Sequence, residues 1–234
     1  MRMEEPIPGR NFSSGKGGLG VHPGRTAILF IEFQNEFVTE GGQLHGSVKE
    51  CMRQTDMLAN ATALVREIRA MAQASSRPVP PVTLFHAPIT FAEDGLDNPN
   101  RYLGILGGCD SDKHFTRGTW GARLAPDLRP EGWTAERWGE WGDERSMNDQ
   151  DGDDTGVDVL VRGKRGLSAF PGTDLAQELQ RRGIETLAVA GFMANCCVES
   201  TVREACERGF NVISLTDCVS TTSMAGYTAG ERAV

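Results

Sequence analysis

Residues 186–217, TLAVAGFMANCCVESTVREACERGFNVISLTD, constrain the fold more than any other stretch of the chain. The first seven are apolar or small and read as a buried strand. Val198, Val202, Ala205 and Cys206 then recur at the three-to-four spacing of a helix face. Gly209 supplies a left-handed helix stop, and NVISLTD reads as a second apolar strand. The stretch is a βαβ unit in which the chain passes from strand to helix at Cys196 and Cys197. A thiol at a helix start sits beside unpaired backbone N–H groups and the positive end of the helix dipole, both of which favour thiolate. On this stretch alone the pair reads either as a candidate nucleophile or as two small buried apolar residues.

Earlier segments repeat the pattern. TAILFIEF (26–33), VTLFHAP (82–88) and DVLVRG (158–163) are apolar runs of strand length. From about Met52 to Ala74, apolar residues at 57, 58, 61, 64, 65, 68, 71 and 72 mark one face of an amphipathic helix. Thr173 is placed to cap a helix carrying Leu175 and Leu179, with Gly183 as its stop. Residues 89–127, rich in Gly, Asn and Asp, read as irregular. Strands alternating with helices predict an α/β fold with a mostly parallel sheet covered on both faces. Ligands of such sheets bind outside the carboxyl ends of the strands, where the strand order reverses. Glu32, Lys164 and Cys197 each fall at or just beyond such an end. A carboxylate takes a thiol's proton, and an ammonium stabilises the thiolate and holds the carboxylate, so these three types together suit nucleophilic catalysis.

Charge narrows the classes of function. Of the formal net charge of −8, all is local: ten acids against Arg137 and Arg145 lie between Glu131 and Asp158, which leaves 22 against 22 elsewhere. A neutral body lacks the basic face that nucleic-acid binding needs, so no nucleic-acid partner is expected. The acidic stretch reads as a solvated insertion at about 131–156, either a lid carrying Trp133, Trp138 and Trp141 or, in preference, a loop. No run of about 18 apolar residues predicts a membrane span. Residues 1–24 lack the apolar core of a signal peptide and read as a flexible tail ahead of a single domain over 25–234; GKGGLG at 15–20 has no strand before it and belongs to that tail. Six cysteines without a CxxC pair fit a reducing, cytoplasmic setting.

Several ordered segments carry a family likeness: AILFIEFQNEF, GTWGARLAPDLRP at 118–130, VRGKRGLSAFPGTDL, and AGFMANCCVESTVREA followed by GFNVISLTD. From about Thr26 to Asp217 the chain resembles the isochorismatase-like cysteine hydrolases, which include nicotinamidases and N-carbamoylsarcosine amidohydrolase. The resemblance implies a Rossmann-like three-layer sandwich and an amidohydrolase of a small amide, lactam or carbamoyl compound. Carried over by position, it implies Cys197 as nucleophile, Lys164 as the lysine ahead of Ser-Ala-Phe, and Glu32 where the family usually has aspartate. It also implies a cis peptide at Phe192–Met193, with the N–H groups of Met193 and Cys197 as an oxyanion hole. Gln34, Phe37, His86, Trp120 and Phe170 are candidate substrate contacts, and a homo-oligomer is expected by the same resemblance.

Three departures qualify these expectations. Glu32 adds one methylene, about 1 Å of reach, to a group that must sit within about 3 Å of its proton partner. HAPITFAEDG offers only His86 in place of the Asp-x-His metal motif of nicotinamidases, and His22, His45 and His114 have no ligand spacing, so neither a catalytic metal nor another cofactor is expected. The insertion is longer than the family's usual link, and Val234 comes soon after the last recognised strand, where relatives usually continue for another short helix and strand. Two alternative functions stay open: an isochorismatase proper, against which Cys197 counts, and an inactive scaffold homologue, in whose favour Glu32 counts.

Overall fold

The computed structural model describes residues 21–75, 81–130, 133 and 156–233. Five parallel strands form one sheet: β1 (Thr26–Ile31), β2 (Thr83–Ala87), β3 (Asp158–Leu160), β4 (Thr186–Phe192) and β5 (Asn211–Ser220), in the order β3-β2-β1-β4-β5. The order runs outward from β1 in both directions. The order therefore reverses between β1 and β4, and the carboxyl ends of the strands there are where such sheets bind ligands.

Every residue of β1 is buried because both of its faces are covered. Ile28 and Phe30 point into one layer with Val65 and Ile68 of α3 (Met57–Ala74). Ala27, Leu29 and Ile31 point into the other, with Leu175 and Leu179 of α5 (Leu175–Arg181) and Val202 and Ala205 of α6 (Glu199–Glu207). The period-2 alternation of the strand divides its side chains between two cores. Two more helices precede α3: the single turn α1 (Asn35–Val38) and α2 (His45–Gln54). The last, α7 (Met224–Ala233), lies so close to the turn before α6 that a Cβ on Gly230 would sit 2.8 Å from the Ala194 carbonyl. Among the described residues, no helix is long and apolar enough to cross a membrane.

The expected three-layer α/β architecture and its five strands are present. Two local expectations fail. The helix anticipated over 52–74 is two helices, broken where the Thr55 hydroxyl bonds back to the Cys51 carbonyl at 3.0 Å and Asp56 turns left-handed at φ +50°. The stretch 89–127 contains α4 (Gly104–Ser111), which three glycines at 104, 107 and 108 disguise as loop. Asp158, first residue of the DVLVRG run, opens β3 and is partly buried in an ion pair with Arg69 at 2.9 Å. The tail at 1–20 and the insertion's Trp138 and Trp141 lie outside the described residues, while Pro23–Arg25 form a 3-10 turn.

One glycine is indispensable to the crevice. Gly191 has φ +129°, and a Cβ there would lie 2.1 Å from the Ile31 carbonyl oxygen, closing the contact between the ends of β4 and β1. Gly191→Ala is expected to lower the urea-unfolding free energy by roughly 3–5 kcal/mol. Gly24→Ala, with nothing within 4 Å of the new methyl, should stay within about 0.5 kcal/mol of wild type in the same assay.

Candidate active site

The site is built on one residue in an unusual conformation. β1 ends at Ile31, and Glu32 adopts a left-handed backbone at φ +58°, uncommon for a residue with a side chain. Its N–H donates to the Ala87 carbonyl at 3.1 Å and its carbonyl accepts the Gln34 N–H at 2.7 Å, so the strain is held from both sides. The Glu32 carboxylate is 3% exposed and accepts a hydrogen bond from Lys164 Nζ at 2.5 Å. Lys164 arrives from beyond β3, is fully buried, and also donates to the Gly166 carbonyl at 2.7 Å. Burial pulls the Lys164 ammonium down most strongly. The Glu32 carboxylate, with Cys197 adding to it, outweighs that pull and holds lysine above its usual range.

Cys197 is 5% exposed and belongs to a π turn, Ala194–Val198, between β4 and α6. The peptide Phe192–Met193 just before it is cis, as the resemblance implies. The thiol is not the lowered one that a helix start suggests. Its hydrogen bond with Cys196, its burial and the Glu32 charge all push Cys197 well above the usual thiol range, with Lys164 pulling the other way. The same thiol contact lowers Cys196, the more exposed of the two. Glu32, Lys164 and Cys197 thus influence one another electrostatically.

The candidate substrate contacts divide differently. Gln34 is fully buried with its amide engaged by backbone: it donates to Ile89 O at 2.8 Å and Ala122 O at 2.7 Å, and accepts from Ile89 N at 2.9 Å. It fixes the walls of the crevice. Phe37 stacks on Phe192 at 4.9 Å, inside the core. His86 is a residue of β2, stacked on Phe30 and bonded through Nε2 to Asp158 at 2.7 Å. Phe170 lies in the opposite core, between Phe210 and the Arg208 guanidinium at the end of α6. These four are packed into the cores, whereas Trp120, 46% exposed, keeps an open face.

Other residues of the site carry weak sequence signals. The Cys109 thiol on α4 is pushed up to about 12, first by burial and then by the Glu32 charge. Asp97 joins Arg117 and Arg165 at 2.7 Å each, clamping the loop after β2 to the residue that follows Lys164. Thr201 is fully buried and bonds to both the Cys197 carbonyl and the Ala169 N–H. Glu36, in the acidic cluster at the end of β1, is buried against His114 at 3.0 Å. Among the described residues, no group of three His, Cys, Asp or Glu side chains is placed to share a metal ion.

The Isochorismatase domain model matches residues 135–233, a span holding Lys164 and Cys197. Over that span the chain is similar to the isochorismatase family. It is 47% identical over 74 residues to the uncharacterised isochorismatase family protein YwoC of Bacillus subtilis, a match covering 32% of this chain and 36% of that one, so the alignment spans about a third of the relative's length. It is 24% identical over 240 residues to the ureidoacrylate amidohydrolase RutB of Methylobacterium radiotolerans, covering 99% and 83%. The isochorismatase-like hydrolase of Alkaliphilus metalliredigens shares the fold at a TM-score of 0.62 and 24% identity, covering 89% of each chain. Glu32 lies outside the matched domain span, and the sheet order returns it to the other two.

Removing one partner of the buried pair leaves the other charged in a dry site. Lys164→Met is expected to cost about 3–5 kcal/mol of unfolding free energy at pH 7. Because the folded Lys164 titrates above its unfolded value, its stabilisation is complete below about pH 10.4 and fades as pH rises through the folded value. Urea titrations from pH 7 to 11.5 should therefore show the gap between wild type and Lys164→Met narrowing only in the alkaline limb.

Proposed function

We propose that the chain is a cysteine-dependent hydrolase of a small amide, lactam or carbamoyl compound. The observation that carries this reading is the buried Glu32–Lys164 pair acting on a protonated, buried Cys197. Apolar residues of similar volume replace buried ion pairs with little or no loss of stability, so a scaffold subunit has no evident use for one. A base and an ammonium beside a thiol have a chemical use. The similarity to RutB, a ureidoacrylate amidohydrolase, supports amide-type substrates.

In this mechanism Glu32 accepts the Cys197 proton as the sulfur attacks the carbonyl carbon of the substrate. The oxygen gains the electron pair of the broken π bond, and the N–H groups of Met193 and Cys197 receive it; loss of one such donor typically costs about 3 kcal/mol. Protonated Glu32 then delivers its proton to the departing nitrogen, which leaves as amine or ammonia, and a thioester remains on Cys197. Water, deprotonated by Glu32, attacks the thioester; the acid is released and the thiol regains its proton. Lys164 stays an ammonium throughout, holding Glu32 in place and offsetting its charge.

A panel of small amides, lactams and carbamoyl compounds, with release of ammonia or amine as the readout, tests the reading. Glu32→Gln is expected to lower kcat about 10²–10⁴-fold with an unchanged circular dichroism spectrum. Turnover by Glu32→Gln close to that of wild type would remove the carboxylate from the mechanism.

A further inference from the structure

Thr201 stands on the first turn of α6, four residues after Cys197, and is fully buried. Its hydroxyl donates to the Cys197 carbonyl at 2.7 Å and accepts the Ala169 N–H at 3.1 Å. The first bond is the back-bond that threonine often makes in helices. The second crosses 32 residues of sequence to the segment that begins at Lys164. That segment is fastened elsewhere too: the Thr90 N–H donates to the Lys164 carbonyl at 3.3 Å, Lys164 Nζ donates to the Gly166 carbonyl at 2.7 Å, and the Thr173 hydroxyl donates to the Ala169 carbonyl at 2.6 Å. Ala169, itself fully buried, is thus held through its N–H by Thr201 and through its carbonyl by Thr173.

The turn bearing the nucleophile needs such support. Within Ala194–Val198 the Val198 N–H reaches back five residues to the Met193 carbonyl at 3.2 Å, a wider register than that of the α-helix that follows. Cys197 lies at the changeover, and the Thr201 hydroxyl adds a donor to its carbonyl there. We propose that Thr201 is a positioning residue whose one hydroxyl sets the spacing between the turn carrying Cys197 and the segment carrying Lys164. This rests on the amidohydrolase reading, in which a misplacement of about 1 Å between base and thiol costs on the order of 10²-fold in rate.

Thr201→Val keeps the shape but removes both donor and acceptor, leaving the Ala169 N–H unpartnered in a dry place. Thr201→Ser keeps the hydroxyl. The expected result is a kcat lowered about 10–100-fold in Thr201→Val with KM within about twofold, and near-wild-type kinetics in Thr201→Ser. A readout that needs no substrate is the pH midpoint of iodoacetamide alkylation at Cys197, followed by peptide mapping. It should move by at least about half a pH unit in Thr201→Val and return in Thr201→Ser, whereas a merely structural role lowers stability and leaves the midpoint in place.

Equal midpoints in all three proteins contradict the positioning role and leave the hydrolase reading standing. A midpoint that Glu32→Gln fails to move contradicts the hydrolase reading itself. Should Thr201→Val not fold, amide exchange in the wild type decides: the Ala169 N–H should exchange at least about 10³-fold more slowly than an open amide, and rapid exchange overturns the proposal.

Discussion

The ion pair between Glu32 and Lys164 is the constraint around which the rest is arranged. Neither group is stable in this dry crevice alone, because taking a charge out of water costs several kcal/mol unless a partner and further hydrogen bonds offset it. Lys164 therefore bonds the Gly166 carbonyl as well as Glu32, and Glu32 accepts a left-handed backbone at the end of β1. Gln34 and the Asp97 clamp brace the loops on either side. The strand order completes the assembly: β1 is central, so a residue at its end meets groups delivered from beyond β3 on one side and β4 on the other.

The electrostatics of Cys197 reflect its contact with Cys196, its burial and that pair, and in the proposed mechanism they call for a base. A thiol whose own environment produced thiolate would have little need of one. Contact with Cys196, burial and the Glu32 charge hold Cys197 well above the usual thiol range, so in the proposed mechanism the thiolate forms as Glu32 takes the proton. Lys164 lowers the energy of the thiolate without competing for the proton, because its own titration lies above the usual lysine range. Glu32 projects its side chain from a left-handed turn directly after the last residue of β1.

The sheet and the crevice were legible in the sequence because they rest on apolar runs and their order along the chain. The βαβ unit around Cys197, the five strands and the convergence of Glu32 with Lys164 follow from that pattern. The roles assigned to Cys197 and Met193 came from the family resemblance. What stayed hidden concerns partners rather than patterns. Gln34 and His86 fall near strand ends, as pocket residues do, and nothing in their positions reveals that Ile89, Ala122 and Asp158 engage them. Asp158 read as the start of a strand, and its ion pair with Arg69 is set by strand pairing that the pattern does not specify. Thr201 carries no sequence signal beyond its place four residues past Cys197.

The account rests on a covalent bond to one sulfur. Acid-quenched samples taken during turnover of the most active amide in the panel, analysed by intact-protein mass spectrometry and peptide mapping, report that bond directly. An acyl adduct mapping to Cys197 in the wild type, absent from Cys197→Ala and restored to zero as substrate is exhausted, is the predicted result. Sustained turnover with no adduct, or an adduct that maps to Cys196, would contradict the assignment of Cys197 as the nucleophile.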